Sequence, residues 1–258
     1  MRYAWDFYQD YLEGRSNLVR CYINRHMHHI RLWDRVAADR VDYFIANSIN
    51  VAGRIYKHYR RESEVIYPPV NTDFFIPGSK MEGDYFLSAG RLVGYKRVDL
   101  VVKVCSRKGL KLMVAGDGEE YKRLKSIAGP TVEFLGRVSD DELLKLYQNC
   151  RAFIFPGEED FGIMPLEAQA CGKPVIAYGR GGALETVLQG RSGLFFYRQD
   201  EESLAQAIDC FIKNENGFDS GIIRKHAEGF GVDRFINEFT NMIDKLYGDF
   251  TQRKNRNK

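Results

Sequence analysis

Short apolar runs alternate with amphipathic stretches through the middle of this chain, and that alternation limits its fold more than any other feature. The apolar runs read DYFLSAG, LKLMVAG, TVEFLG, RAFIFP, PVIAYG and GLFFY. They are apolar at almost every position, which is typical of strands buried on both faces of a parallel sheet. Parallel strands need long connections, usually helical. The sequence therefore predicts an α/β fold, with a parallel sheet flanked by helices.

The connecting stretches carry helix signals. Helices are predicted at about Arg97–Lys108, about Glu119–Ala128, from Ser139, from Pro165 and at Glu201–Asn214. Ser139 is followed three residues later by Glu142, which is the pattern of a capping box. Ligands of parallel sheets bind in the loops at the carboxyl ends of the strands, so the loops that precede these helices are the candidate site.

The stretch from Phe153 to Thr186 joins an apolar strand to a helix through an acidic, glycine-containing loop. The first N–H groups of that helix, roughly Gly162–Glu167, have no partners within the helix and favour an anion such as phosphate. Ionised carboxylates only accept hydrogen bonds, so Glu158, Glu159 and Asp160 suit the hydroxyls of a sugar or ribose. The alternative is a solvated loop, with Glu167 as an acid favoured by the helix dipole.

A second loop, GRLVGYKR, places Arg91 and Lys96 five residues apart before the next helix. Arginine offers fixed bidentate donors and lysine a mobile charge, so the pair predicts a clamp for a diphosphate. The alternative is that Arg91 ends a strand and that Lys96 and Arg97 are solvated, which the sequence favours for Arg97.

Three further loops are glycine-rich or cationic. In AGDGEE, Gly116 and Gly118 allow a ligand to approach the backbone, but Tyr121 stands where a dinucleotide fingerprint needs glycine, so an NAD site is rejected. GRVSDDE offers Arg137 and the Val138 backbone to a base, or is simply a helix cap. In YGRGGALE the glycines serve either a ligand or the turn itself.

Composition excludes several classes of protein. The net charge of +3 is too small to indicate a nucleic-acid partner, and no apolar run approaches the length of a membrane span. Five scattered cysteines without a C-x-x-C pair argue for a reducing compartment and against zinc. His26, His28 and His29 do not share a helical face, so no metal site is predicted.

The chain is predicted to divide at a Pro- and Gly-rich stretch. Its parts are residues 1–66, a linker at 67–83, an α/β domain at 84–230, a docking helix at 231–250 and a basic tail at 251–258. The tail is expected to be a disordered, solvated end, with contact to anionic lipid as the alternative. The first part is predicted to hold a helix at about Arg25–Arg40, a strand at Val41–Ser48 and a helix at Val51–Tyr59. The buried face of the first of these helices is expected to carry Met27, Ile30, Trp33, Val36 and Ala37. The docking face of the last helix is expected to carry Phe235, Phe239, Met242 and Leu246.

Four motifs occur in a fixed order, and together they resemble a known family. They read GRLVGYKR, VAGDGEE, FLGRVSDDELLKLY and EDFGIMPLEAQACGKPVIAYGRGGALETV. They resemble the donor-binding C-terminal domain of the family 4 (group 1) retaining glycosyltransferases of GT-B fold, and most of all the mannosyltransferases of polysaccharide and O-antigen assembly. The resemblance covers about Asp42–Tyr247. It implies a Rossmann-like parallel sheet, the C-terminal half of a GT-B fold, with an incomplete N-terminal domain at residues 1–66.

The resemblance implies a role for each candidate residue. Arg91 and Lys96 would hold the nucleotide diphosphate and offset charge on the leaving group, and Glu159 would accept hydrogen bonds from the donor sugar. Glu167, the second of two family glutamates with seven residues between them, would hold the ribose. The backbone facing the sugar and phosphate would be that of Phe161, Gly162, Ile163 and Met164.

The reaction implied is transfer of a hexose with retention onto a glycan or lipid-linked acceptor, without a metal or other cofactor. GDP-mannose is the expected donor, with glucose, galactose or N-acetylglucosamine on UDP as alternatives. A cytoplasmic location is expected, peripheral at the inner membrane face. The family's N-terminal domain supplies an acceptor site, a glycine-rich loop and a histidine, which this chain does not match. Two hypotheses follow: an enzyme, whose missing half comes from an upstream portion or a partner chain, or a truncated nucleotide-sugar-binding module that is inactive alone.

Overall fold

The computed structural model describes residues 2–12, 14–78 and 83–256. Within them the chain forms two compact units. The first comprises residues up to 46 together with 51–65, and the second comprises residues 47–50 together with those from 66 onward. The two units meet in the chain between residues 65 and 66, and the predicted domain bounds stay a prediction.

The first unit is mainly helical. It contains α1 (Tyr8–Leu12), α2 (Asn17–Ala38), most of α3 (Ile49–Tyr59), and a two-stranded parallel sheet of β1 (Ile45–Ala46) and β2 (Glu64–Val65). The strand predicted at 41–48 is therefore reduced to two residues, and α3 begins two residues earlier than predicted.

The buried face of α2 differs from the prediction. Met27 is buried, but Trp33 and Val36 are 62% and 61% exposed. The hydroxyl of Tyr59 donates a 2.7 Å hydrogen bond to the carboxylate of Asp34, so the side of the helix that carries Asp34 packs within the unit. Apolar periodicity does not detect this half-buried polar contact, and the prediction was wrong for Trp33 and Val36.

The second unit is built on a six-stranded parallel sheet. Its strands are β3 (Phe86–Ala89), β4 (Leu112–Ala115), β5 (Val132–Gly136), β6 (Phe153–Phe155), β7 (Val175–Tyr178) and β8 (Gly193–Phe196). Their order in the sheet is β5-β4-β3-β6-β7-β8, and every neighbouring pair is parallel. This confirms the predicted α/β class.

The helices of this unit connect and cover the strands. They are α4 (Val98–Lys108), α5 (Tyr121–Ser126), α6 (Asp140–Asn149), α7 (Ile163–Ala170), α8 (Ala183–Thr186), α9 (Glu201–Asn214), α10 (Ser220–Glu228) and α11 (Val232–Arg256). Helices α4 and α9 pack in the core on one face of the sheet, and α7 and α10 pack in the core on the other.

Successive residues of each central strand enter opposite cores, because side chains alternate across a sheet. On β6, Ile154 lies in the core with α4 and α9, whereas Phe153 and Phe155 lie in the core with α7. Burial of a large apolar side chain contributes roughly 1.5–3 kcal/mol. The requirement to fill both cores explains why the strands read as continuous apolar runs.

The segment predicted as a linker packs as part of the second unit over its described residues. Val70 and Phe75 are buried, and the Val70 N–H donates to the Phe230 carbonyl at 2.9 Å. Residues 79–82 of that predicted linker lie outside the described part of the chain.

Helix α11 is longer than predicted, since it continues through most of the predicted basic tail to Arg256. Of its predicted docking face, Phe235, Met242 and Leu246 are half-buried, whereas Phe239 is exposed. Residues 257 and 258 of the tail lie outside the described residues. Among the described helices, none combines the length and apolarity that a membrane crossing requires.

The capping box at the start of α6 is present as predicted and gives a test of the fold. Ser139 accepts from the Glu142 N–H, and the Glu142 carboxylate accepts from the Ser139 N–H at 2.8 Å. We expect Ser139→Ala to lower the free energy of unfolding by about 1 kcal/mol, because a cap for the free helix N–H groups is lost. Chemical denaturation would measure this loss, and Ser139→Asp, which keeps an acceptor at the cap, should remain close to the parent protein.

Candidate functional site

The strand order reverses beside β3, and this places a crevice at one edge of the sheet. The chain runs outward from β3 to β4 and β5, then returns to place β6 on the other side of β3. The loops that follow β3 and β6 leave in opposite directions, which opens a crevice beyond the carboxyl ends of these strands. These two loops carry Lys96 and Glu159.

Lys96 and Glu159 meet in this crevice. The Lys96 Nζ lies 2.9 Å from Glu159 Oε1, and the two side chains are only 19% and 21% exposed. The cavity that they line together with Ser88 has a volume of only about 10 Å³. This cavity has room for no more than a water molecule, so a larger ligand must bind outside it or separate the pair.

The two other cations of the loop after β3 differ from one another. Arg91 is exposed, and its guanidinium has no hydrogen bond or ion pair with any described residue. Arg97 is half-buried, and its Nε donates to Asp99 Oδ1 at 3.1 Å. The expectation that Arg97 is solvated was wrong, because Asp99 and Gln199 hold its guanidinium in place. Of these two cations, Arg91 is the one that is left accessible to a ligand.

The N-terminus of α7 opens beside the same crevice. The helix begins at Ile163, two residues earlier than predicted, and Pro165 occupies its third position rather than its first. Gly162 precedes the helix with φ +94°, a conformation that favours glycine. Proline at the third position removes only an N–H that would lack a partner within the helix in any case.

The predicted backbone contributors lie at this helix start. The N–H groups of Gly162, Ile163 and Met164 donate to no backbone carbonyl in the described loops and turns, and they remain candidates for a phosphate. Phe161 is buried, and its ring stacks on Tyr67 with the centroids 5.5 Å apart. Its side chain is therefore packed away, and the role implied for its backbone stays a prediction.

Glu167 lies one turn into α7, in a largely buried environment. Burial raises the pKa of its carboxyl to about 7, a bond from the Tyr147 hydroxyl opposes that rise, and the negative charge of Asp140 adds to it. The Tyr147 oxygen lies 3.1 Å from Glu167 Oε2. Sequence reasoning missed Tyr147, which stands out only as part of an apolar face of α6, and the structure identifies it as the hydrogen-bond partner of this acid.

The glycine-rich loops pack against the site loops. A Cβ at Gly116 would lie 1.9 Å from the Gly90 carbonyl oxygen, and one at Gly118 would lie 2.2 Å from that of Leu92. These glycines let the loop after β4 approach the loop after β3, and their predicted approach to a ligand stays a prediction.

The YGRGGALE loop supports the acidic loop in the same way. The Gly182 N–H donates to the Glu159 carbonyl at 2.9 Å, and a Cβ at Gly182 would lie 2.2 Å from the Phe161 Cα. Glycine is required here because the two backbones are in contact. This loop therefore fixes the position of the Glu159 segment.

Arg137 and Val138 follow β5, the edge strand that is separated from β3 by β4. Arg137 is exposed, and Val138 is half-buried against the core on the α7 side of the sheet. Their predicted contact with a base stays a prediction. In the described part of the chain, no group of three His, Cys, Asp or Glu side chains is arranged to hold a metal ion.

Known proteins resemble this chain in sequence. An uncharacterized glycosyltransferase of Methanocaldococcus jannaschii is 30% identical over 192 residues, which cover 72% of this chain and 54% of that protein. The D-inositol 3-phosphate glycosyltransferase of Mycobacterium marinum is 25% identical over 253 residues, covering 86% of this chain and 54% of the relative. The chain thus spans about half the length of the curated relatives it matches.

Solved structures share the fold. Sucrose-phosphate synthase from Thermosynechococcus elongatus aligns with a TM-score of 0.80 at 19% identity, over 93% of this chain and 66% of that one. The Anabaena protein HepE, in complex with UDP and glucose, aligns with a TM-score of 0.73 at 20% identity, over 81% of this chain and 64% of its own.

The family match spans most of the second unit. Residues 70–230 match the family described as glycosyl transferases group 1. This range contains every strand of the six-stranded sheet and both loops of the crevice. The chain therefore belongs to the group 1 glycosyl transferases.

Proposed function

We propose that this chain forms the donor side of a retaining hexosyltransferase and binds a nucleotide diphosphate sugar in the crevice between β3 and β6. The observation that carries the proposal is the contact of Lys96 with Glu159 at the reversal of strand order, beside the open N-terminus of α7. A cation and free helix N–H groups suit a diphosphate, and a carboxylate suits sugar hydroxyls.

The ion pair holds the two binding groups together until the donor arrives. On binding, the Lys96 ammonium turns to the diphosphate, and Glu159 accepts hydrogen bonds from the sugar. Arg91, which is exposed in the same loop, adds a second cation. Both cations then offset the charge that develops on the leaving diphosphate as its bond to the sugar breaks.

Transfer with retention needs no carboxylate base in this scheme. The bond between the anomeric carbon and the phosphate oxygen breaks, and the acceptor oxygen bonds to the same face of the sugar. The acceptor proton passes to the phosphate oxygen that leaves. Glu159 then has a positioning role toward the sugar, and Glu167 holds the ribose.

GDP-mannose remains the donor that we propose, with a glycan or lipid-linked acceptor in polysaccharide assembly. UDP sugars are the main alternative donors, because the structurally similar Anabaena protein was crystallised with UDP and glucose. The related proteins named D-inositol 3-phosphate glycosyltransferase widen the range of acceptors to be tested.

A second candidate function is a nucleotide-sugar-binding module that does not transfer by itself. The chain spans 54% of the length of the two curated relatives named above. In this second candidate, the acceptor side belongs to a further portion or a partner chain. The two candidates share the donor crevice and differ in turnover.

Titration separates these candidates. We expect the purified chain to bind GDP more tightly than UDP in titration calorimetry. Release of sugar from the matching donor would show that the chain is an enzyme by itself. Binding without turnover toward water or added acceptors would favour the module. If neither GDP nor UDP binds, both candidates are wrong.

Substitution of Lys96 should mainly lower nucleotide affinity, whereas substitution of Glu159 should mainly lower turnover. Lys96→Ala should weaken diphosphate affinity about tenfold or more, since charge-assisted hydrogen bonds are lost. Glu159→Ala should leave that affinity unchanged or tighter, because the Lys96 ammonium becomes free, while turnover or the preference for nucleotide sugar over free nucleotide falls about a hundredfold.

Matched controls are available far from the crevice. Lys111 is exposed and pairs with Asp84 at the opposite edge of the sheet, and Glu133 is exposed on β5. Lys111→Ala and Glu133→Ala should leave both assays unchanged. Equal losses in the two assays for Glu159→Ala would contradict its place at the sugar.

The raised pKa of Glu167 predicts pH dependence. An ionised carboxylate accepts hydrogen bonds from both ribose hydroxyls, so nucleotide affinity should rise up to about tenfold between pH 6 and pH 8. Ionisation of the terminal phosphate of the nucleotide also makes the affinity depend on pH. Glu167→Gln should retain this part of the pH dependence and lose the part that is due to Glu167. If nucleotide affinity depends on pH equally in the parent protein and in Glu167→Gln, the proposed role of Glu167 at the ribose is refuted.

The same group makes a prediction for stability, with the sign set by the raised pKa. Between pH 4.5 and 7 the folded state holds a proton that the unfolded state releases, so the contribution of Glu167 to stability falls as the pH rises through this range. Glu167→Gln should remove that fall, and thermal denaturation at several pH values would measure it.

A further inference from the structure

Gln199, in the loop between β8 and α9, joins the two segments that carry Lys96 and Glu159. Its side-chain Nε2 donates to the Pro156 carbonyl at 2.9 Å. Its Oε1 and its backbone carbonyl both accept from Arg97 Nη1 at 3.4 Å. One half-buried amide thus bonds to the residue after Lys96 and to a residue three positions before Glu159.

Arg97 needs such support because of its backbone. It has φ +51° and ψ +34°, a left-handed backbone conformation that residues other than glycine rarely adopt. This residue separates the 3₁₀ turn at Gly94–Lys96 from α4, so its conformation sets the direction in which Lys96 leaves the turn. The bonds to Asp99 and Gln199 hold the guanidinium while the backbone keeps that shape.

The loops are also in direct backbone contact. A Cβ at Gly157 would lie 2.9 Å from the Lys96 Cα, so the Pro156–Gly157 segment abuts the backbone of Lys96. A shift of Pro156 would therefore displace the backbone of Lys96. Gln199 bonds both sides of this contact.

We infer that Gln199 is a positioning residue for the donor diphosphate, which acts by holding Lys96 and the Glu159 loop in register. The inference rests on the proposed function, because the register matters only if a donor binds in this crevice. A purely structural Gln199 would stabilise the loop between β8 and α9 without acting through Lys96.

A double-mutant cycle distinguishes these roles. Gln199→Met keeps the volume and removes both side-chain bonds, and we expect it to weaken diphosphate affinity about fivefold to tenfold. In the Lys96→Ala background the same change should have almost no further effect, because the group that Gln199 positions is gone. Calorimetry with GDP and UDP gives the affinities, and thermal denaturation gives stability separately.

Two other variants sharpen the cycle. Arg97→Gly accepts the left-handed backbone but lacks the guanidinium, so it should lower affinity, and its effect should not add to that of Gln199→Met. Gln206 lies on the exposed side of α9 and bonds only to Glu202 among the described residues, so Gln206→Met should match the parent protein.

The outcomes are distinct. If the parent chain binds neither nucleotide, the proposed function fails. If it binds, and Gln199→Met loses the same affinity factor with or without Lys96, the positioning role is overturned while the donor site stands. An unchanged affinity in Gln199→Met also overturns it. Should Gln199→Met not fold, Gln199→Glu, which keeps an acceptor for Arg97 and lacks the donor for Pro156, takes its place in the cycle.

Discussion

The reversal of strand order at β3 is the constraint on which the rest of the site depends. A parallel sheet that grows outward from one central strand must send the loops on either side of it apart, and a crevice results. Here the loop after β3 supplies Lys96 and the loop after β6 supplies Glu159, although they are 63 positions apart in the sequence, and their charged groups meet at 2.9 Å. A shift of either strand in register would separate them.

Backbone contact keeps these loops in place. The loops after β4 and β7 approach the loops of the crevice so closely that side chains at Gly116 and Gly182 would overlap backbone atoms. Gln199 adds polar bonds from a third direction. Rigid support of this kind suits a site whose groups must be aligned before a charged ligand arrives, because little ordering then remains to be done on binding.

Burial explains why the two glutamates of the acidic stretch differ. Glu159 is compensated by a cation, whereas Glu167 lies in a largely buried setting with a tyrosine hydroxyl as its partner, and its pKa rises to about 7. A ligand that brings hydroxyl donors to Glu167 would replace some of the hydration that burial removed. The same residue type thus has two different electrostatic settings in one stretch of chain.

The sequence by itself determined the α/β class, the capping box of α6 and the glycine-bearing loops, because apolar periodicity and helix-start patterns are local. It also supplied Arg91, Lys96, Glu159 and Glu167 as candidates, whose roles stay proposals. It could not reveal the contact of Lys96 with Glu159, the support of Glu167 by Tyr147, or the bonds of Gln199 to Arg97 and Pro156, since these join residues that are distant in sequence. It also misjudged Arg97 and the exposed face of α2, where polar contacts outweighed periodicity. Only the tertiary structure decided these points, because strand order and side-chain burial are properties of the packed sheet rather than of any single segment.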